Sequence, residues 1–249
     1  MSDWVLPEDE AERQPTHHRP AAAAAAGGEW ELPDEGRAAR PVDAVSTGPS
    51  GLLLGEAPAT QASPGGPVSI RLFRASGSKL VVAVPEYITW LLAFRAISVG
   101  AHLSIMSTDP RRWELLVGAV RSSGGTADLL GPYDRPPSAG RPYRPSLVVD
   151  AANYFDGIVQ GVGPWQATLV VQSVATSAAV FALRSCDLAL VAPWDQRVAE
   201  QCRRAYALNP AQVKACGNLA QNEIVVARPR RVVRVAVPPT PTEYQLLFA

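Results

Sequence analysis

KLVVAVPEYITWLLAFRAISVGAHLSIMSTDPRRWELLVGAVRSSGGTADLL, residues Lys79–Leu130, reads as strand, helix, strand, helix, strand. KLVVAVP is a short apolar run rich in β-branched residues. The EYITWLLAFRAIS that follows places Tyr87, Trp90, Leu91, Phe94 and Ile97 at spacings of three and four, on one helical face. GAHLSIMST (Gly100–Thr108) returns as a strand. Asp109-Pro110 then offers a carboxylate for an N-cap and a proline for the first helical position, and RRWELLVGAVRSS runs as a helix to Gly124-Gly125. TADLL makes the third strand. Short apolar strands alternating with amphipathic helices pack as a parallel sheet covered by helices, so the expected class is α/β with a mostly parallel sheet.

Outward from that unit the same signals recur. PVSIRLFRA (Pro67–Ala75) alternates and is expected as an edge strand. SLVVDAA (Ser146–Ala152), ATLVVQSVA (Ala167–Ala175) and CDLALVAP (Cys186–Pro193) are further strands, and SAAVFALRS fits either a short helix or a strand. WDQRVAEQCRRAYAL is a helix with Val198, Cys202 and Ala205 inward. AQVKACGNLA follows as a short helix, and NEIVVARP and RRVVRVAVP are two strands around an Arg-Pro-Arg-Arg turn. PPTPTEYQLLFA closes the chain. Between the strands, GPYDRPPSAGRPYRP (Gly131–Pro145) carries Arg135, Arg141 and Arg144 with Tyr133 and Tyr143. Three arginines without a wider basic surface make a weak nucleic-acid footprint, so the expectation is a solvated loop and no nucleic-acid partner.

The 249 residues are 47% hydrophobic, ample for a core, and their formal charge is zero. That zero hides an asymmetry. Residues 1–66 hold eleven acidic and four basic side chains, a net of −7, against +7 for the rest. The acidic segment is rich in Pro, Gly and Ala, including AAAAAAGG (Ala21–Gly28), and poor in large apolar residues. Burial there cannot offset the entropy of ordering, so residues 1–66 are expected to be a disordered tail on a folded body at 67–249. Within the tail one pattern occurs twice, Trp4-Val5-Leu6-Pro7-Glu8-Asp9 and Trp30-Glu31-Leu32-Pro33-Asp34-Glu35. Drift in a low-complexity segment is one explanation. The other is a pair of docking peptides, with Trp4, Leu6, Pro7, Trp30, Leu32 and Pro33 as partner-binding residues and the carboxylates meeting a basic rim.

Signals for chemistry are sparse. No GxxxxGK followed by Ser or Thr and no GxGxxG after a strand occurs, which leaves no common phosphate cradle. The Gly157, Gly161, Gly163 spacing is followed by Pro164-Trp165 where a helix should start, and reads as a turn. His102 lies inside a strand and reads as packed or hydrogen-bonded to backbone. Cys186 beside Asp187 reads as a small core residue rather than a nucleophile. One body histidine and three scattered thiols give no metal set, so no metal, cofactor or catalytic residue is expected. The alternative is a small α/β enzyme or ligand-binding domain, with Asp150 and Asp187 meeting at the strand ends where open α/β folds bind ligands.

Three cysteines, Cys186, Cys202 and Cys216, leave an odd thiol under any pairing and fit a reducing compartment. The start MSDWVLPEDE has no basic and apolar regions of a secretory signal, and the apolar window Tyr87–Met106 is interrupted by Arg95 and His102. The expected location is cytoplasmic.

The stretch Leu91–Leu130 resembles the cytosolic domain of EccE, a component of the type VII (ESX) secretion systems of actinobacteria. The matching residues are Ala93, Phe94, Arg95, Ala96, Gly100, Ala101, Thr108, Pro110 and Trp113, and Cys186–Val191 is similar to a later strand of that family. Family members begin with two transmembrane helices, and this sequence shows no such span. The resemblance therefore implies a soluble relative, a non-catalytic interaction or scaffold protein. It would dock on other type VII components through its tail, peripheral to the inner face of the cell membrane.

Overall fold

Short runs rich in Val, Leu and Ile pair the described strands into one sheet. The computed structural model describes residues 51–59, 65–131, 134–152 and 162–248, all within the unit Thr47–Ala249. The strands are β1 (Leu52–Ala57), β2 (Gly66–Ile70), β3 (Ser78–Ala83), β4 (His102–Met106), β5 (Thr126–Leu130), β6 (Ser146–Asp150), β7 (Gln166–Val171), β8 (Leu188–Val191), β9 (Glu223–Arg228) and β10 (Arg231–Ala236). The helices are α1 (Glu86–Ser98), α2 (Glu114–Ser122), α3 (Ala179–Arg184), α4 (Gln196–Tyr206), α5 (Pro210–Ala215) and α6 (Pro241–Leu247). The strand order is β2-β1-β10-β9-β8-β3-β7-β6-β4-β5. From β8 to β5 all neighbours are parallel, and β9, β10, β1 and β2 extend the sheet antiparallel.

Successive residues of a strand point to opposite faces, and both faces here are apolar. Leu80 and Val82 of β3, Leu190 of β8 and Ile224 and Val226 of β9 join one core beneath α1, α2 and α6. Val81, Ala189, Val191, Val225 and Ala227 join a second, which includes Leu183 of α3 and Val198, Cys202 and Tyr206 of α4. The result is helix, sheet, helix, as the periodicity of Lys79–Leu130 predicts.

Three details depart from the expectations. First, α1 buries Ile88, Leu91, Leu92, Ala93 and Ala96 against the sheet, whereas Tyr87, Trp90, Phe94 and Ile97 are partly buried in an outer layer. Trp90 stacks on Phe248, ring centroids 6.3 Å apart and 5° from parallel, and lies 6.5 Å from Trp113. Trp90→Ala is therefore expected to cost about 2 kcal/mol, short of the about 3–5 kcal/mol of a fully buried aromatic. Urea unfolding of the variant measures it.

Second, Asp109 precedes a 3-10 turn at Pro110–Trp113 rather than capping α2, and its side chain makes no cap bond. Third, β1 lies inside the segment assigned to the tail. Leu52 and Leu54 turn inward, and β1 pairs antiparallel with both β2 and β10, so the folded body includes Gly51 and does not start at Pro67. Gly55 is needed at this contact: a Cβ there would come within 1.9 Å of the Ala236 carbonyl oxygen. Residues 1–50 of the expected tail lie outside the described residues.

Helix α6 completes the layer over α1. Thr240 accepts from the Glu243 amide at 3.2 Å while Glu243 accepts from the Thr240 amide at 2.8 Å, a capping box with Pro241 at the first helical position. Arg95 of α1 grips this helix. Its Nε and Nη2 donate to the Glu243 carboxylate at 2.6 and 2.9 Å, its Nη1 to the Leu54 carbonyl at 2.6 Å, and its Nη2 to the Pro238 carbonyl at 2.9 Å. One guanidinium thus joins α1, β1 and the C-terminal helix.

Candidate functional site

Chain reversal positions a cleft. From β3 the chain crosses through α1 to β4 on one side, and from β7 it crosses through α3 to β8 on the other. Open α/β sheets bind ligands outside the carboxyl ends of their strands at such a switch point. A cleft of about 560 Å³ lies there, lined by Ala83, Ser107, Ala151, Gln172 and Ala192, which follow or end five parallel strands.

Its chemistry is carried by residues from the adjoining turns. Glu86, in the first turn of α1, pairs with Arg112, and Asp109 also lines the cleft. Asp195 caps α4, accepting from the Val198 amide at 2.8 Å. Thr89 is 1% exposed. Its Oγ1 and the Nε2 of Gln172, which lines the same cleft, have no hydrogen-bond partner among the described residues. The connection from β3 to α1 is Val84-Pro85. A phosphate-binding loop at this position would present a run of backbone N–H groups and a lysine, but here a proline without an N–H leads into a carboxylate. A phosphate group here would face Glu86, Asp109 and Asp195 with Arg112 already paired.

The two aspartates of the enzyme alternative do not converge. Asp150 ends β6 and is wholly buried, its Oδ1 accepting from the Ala152 amide at 3.2 Å. Asp187 precedes β8, pairs with Arg74 at 2.8 Å and accepts from the Lys79 amide at 2.9 Å, at the start of β3. Since β6 and β8 run the same way in the sheet, the end of β6 and the start of β8 lie at opposite edges. His102 opens β4 and bonds side chains of β5 rather than backbone. Its Nε2 lies 2.9 Å from Asp128 Oδ2 and its Nδ1 2.9 Å from Thr126 Oγ1, so an Nε2–H donating to the carboxylate leaves Nδ1 to accept from the hydroxyl.

The thiols are core residues. Burial pushes all three above the usual range, Cys202 to about 12 and Cys216 to about 11, so they stay protonated at neutral pH. In the arginine loop, Arg141 donates to the Tyr143 hydroxyl at 2.7 Å, and both side chains are exposed. Among the described residues no three His, Cys, Asp or Glu side chains gather in a metal-holding group, and no helix is long and apolar enough to cross a membrane. Gly157 and Gly161, and the docking residues Trp4, Leu6, Pro7, Trp30, Leu32 and Pro33, lie outside the described residues. Sequence reasoning missed Thr89 and Gln172, although Gln172 directly follows the LVV of a parallel strand, where side chains reach such a cleft.

No family profile matches this chain, and no curated protein sequence does. Among solved structures, VirB4 of Thermoanaerobacter pseudethanolicus is similar, with a TM-score of 0.52 and 10% identity over 80% of this chain and 99% of that one. The likeness is one of fold.

Proposed function

We propose that this chain is a non-catalytic interaction or scaffold protein of a secretion apparatus. The type VII system is the specific candidate, through the EccE-like residues Ala93, Phe94, Arg95, Ala96, Gly100, Ala101, Thr108, Pro110 and Trp113. Its tail docks it on a protein partner, with Trp4, Leu6, Pro7, Trp30, Leu32 and Pro33 as anchors, at the inner face of the membrane. The observation that carries the non-catalytic half is the β3–α1 connection. Where a nucleotide-binding member of this architecture needs a phosphate cradle, Val84-Pro85-Glu86 supplies a missing donor and a negative charge. The fold likeness to VirB4 supports the secretion half.

Isothermal titration with Mg-ATP is expected to give no saturable heat, and no phosphate release is expected at any nucleotide concentration. Saturable heat accompanied by phosphate release would reverse the non-catalytic reading. For the docking half, co-purification with candidate type VII components is expected from the wild type and to be lost when Trp4 and Trp30 are both alanine. Equal recovery of the double variant would end the docking assignment. The unpartnered Thr89 Oγ1 and Gln172 Nε2 favour a second reading, a domain that binds a small polar ligand in the carboxyl-edge cleft. That reading does not need Asp187.

A further inference from the structure

The cleft at the carboxyl edge of the sheet, about 560 Å³, has the size of a small-molecule site, and its described lining is unevenly charged. Glu86, Asp109 and Asp195 supply three carboxylates against the one guanidinium of Arg112, a net of −2. Glu86 and Arg112 pair with each other. Asp109 makes no cap bond, and Asp195 uses Oδ1 to cap α4. The excess negative charge therefore sits on Asp109 and Asp195, which follow β4 and β8, the outermost of the five strands whose ends line the cleft. Carboxylates set apart in this way do not converge on a metal ion, and no metal-holding group occurs among the described residues. They suit a positive charge carried by an organic molecule.

The neutral part of the lining is an independent observation. Thr89 lies three residues from Glu86, on the same face of α1, and is 1% exposed. The backbone amide of Gln172 donates to the Val82 carbonyl at 3.2 Å, which fixes this residue beside the strand that leads into α1. The Thr89 hydroxyl and the Gln172 amide nitrogen have no hydrogen-bond partner among the described residues, although buried polar groups are ordinarily paired. A hydroxyl or a carboxamide both donates and accepts, so either would satisfy the two. Val84, Val174 and Pro193 leave an apolar wall for a carbon skeleton.

We propose that this cleft binds a small organic cation that also carries a hydroxyl or carboxamide group. The charge faces Asp109 and Asp195, and the neutral group meets Thr89 and Gln172. This deepens the ligand-binding reading of the same cleft and rests on it, independently of any secretion assignment. Both parts of the ligand are needed. A bare cation leaves Thr89 and Gln172 unpaired, and a neutral polar molecule leaves the carboxylates uncompensated.

Isothermal titration of the full-length chain with matched compounds tests this. Lysinamide carries the carboxamide and glucosamine the hydroxyls. Cadaverine is lysinamide without its carboxamide, lysine has a carboxylate in that place, and glucose is glucosamine without its charge. Lysinamide or glucosamine is expected to give saturable binding that weakens as salt is raised, and the one that binds identifies the neutral group. Its matched compounds should bind about tenfold more weakly or worse, the scale of one hydrogen bond or ion pair to a buried group. Thr89→Val/Gln172→Leu should weaken the bound compound by a similar factor while keeping or raising the melting temperature, since two buried polar groups without partners are removed. Asp109→Asn/Asp195→Asn should weaken it as well, with asparagine preserving the α4 cap. Cadaverine equal to lysinamide, or glucose equal to glucosamine, would overturn the two-part ligand. A lowered melting temperature in Thr89→Val/Gln172→Leu would overturn it too, by showing that these groups serve the fold. Binding of glucose or lysine alone would overturn the charge assignment and leave the ligand-binding reading standing, whereas no binding by any of the compounds would overturn both.

Discussion

A chain that begins at Pro67 is expected to lose its cooperative unfolding transition, while one that begins at Thr47 keeps it. The reason is the position of β1, between β2 and β10 in the sheet. Removing it leaves β2 without a strand partner and β10 with an open edge, so two rows of backbone groups lose their bonds at once. Leu54, wholly buried, and Leu52 leave a void in the core under α1, and each such deletion costs about 2–5 kcal/mol. Arg95 loses the Leu54 carbonyl as well. Those losses together approach the whole stability of a typical domain, about 5–15 kcal/mol. Near-ultraviolet circular dichroism during thermal melting reads the result directly. A sharp transition at an unchanged midpoint in the shorter chain would mean that β1 adds nothing.

Arg95→Met is expected to destabilise the body by about 3–5 kcal/mol, the usual consequence of leaving one member of a buried ion pair alone. Both side chains are close to buried, 13% exposed for Arg95 and 9% for Glu243. Burial alone pushes the Glu243 carboxyl up, but the Arg95 guanidinium and the Thr240 amide outweigh it and hold the group below its ordinary value of 4.5. A depressed folded value means that the pair's contribution is complete above about pH 4.5 and fades as pH falls through the folded value. In Arg95→Met the burial survives without the guanidinium, so the Glu243 carboxyl should rise above its unfolded value and the sign should invert. That variant gains stability on acidification where the wild type loses it. Urea unfolding at pH 7 and pH 4 measures both slopes, and parallel slopes would show that the pair does not set the titration. Arg95→Met/Glu243→Leu should recover much of the loss, since no charge is then left unpaired.

Periodicity made most of the sheet legible because nine of its strands carry their own apolar run, among them LVVA, LSIM, SLVVD, ATLVV and LALV. β1 escaped because its LLL is followed by Gly55 and Glu56 and embedded among prolines and alanines. One of its two partners is a strand some 180 positions later, Glu56 pairing with Ala236, and a local window cannot see that partner. Helix α6 has a sequence signature of its own: Thr240-Pro241-Thr242-Glu243 is a capping box with proline at its first helical position. Missing α6 also misplaced the buried face of α1. A helix roofed by another has two apolar stripes, and the aromatic one, Tyr87, Trp90 and Phe94, is the more conspicuous although Ile88, Leu91 and Leu92 meet the sheet. For the candidate site, chain direction already separated Asp150 from Asp187. SLVVD ends with its aspartate and DLALV starts with one, so parallel strands must send them to opposite edges. Which polar atoms would be left without partners, as at Thr89 and Gln172, depends on packing across five elements and was not legible at all.

The Glu56–Ala236 register also sets a timetable for biosynthesis. A ribosome adds about 5–20 residues per second, so β1 waits roughly 10–40 s after its own synthesis before the strand it must join exists. The β8–β5 half of the sheet, complete once β8 has emerged, can assemble meanwhile, but the β1–β2 hairpin stays available to any other strand edge in that interval. Folding of this protein therefore closes last at β1, and variants that slow the β9–β10 hairpin should appear in cells as nascent-chain aggregation rather than as a lowered melting temperature.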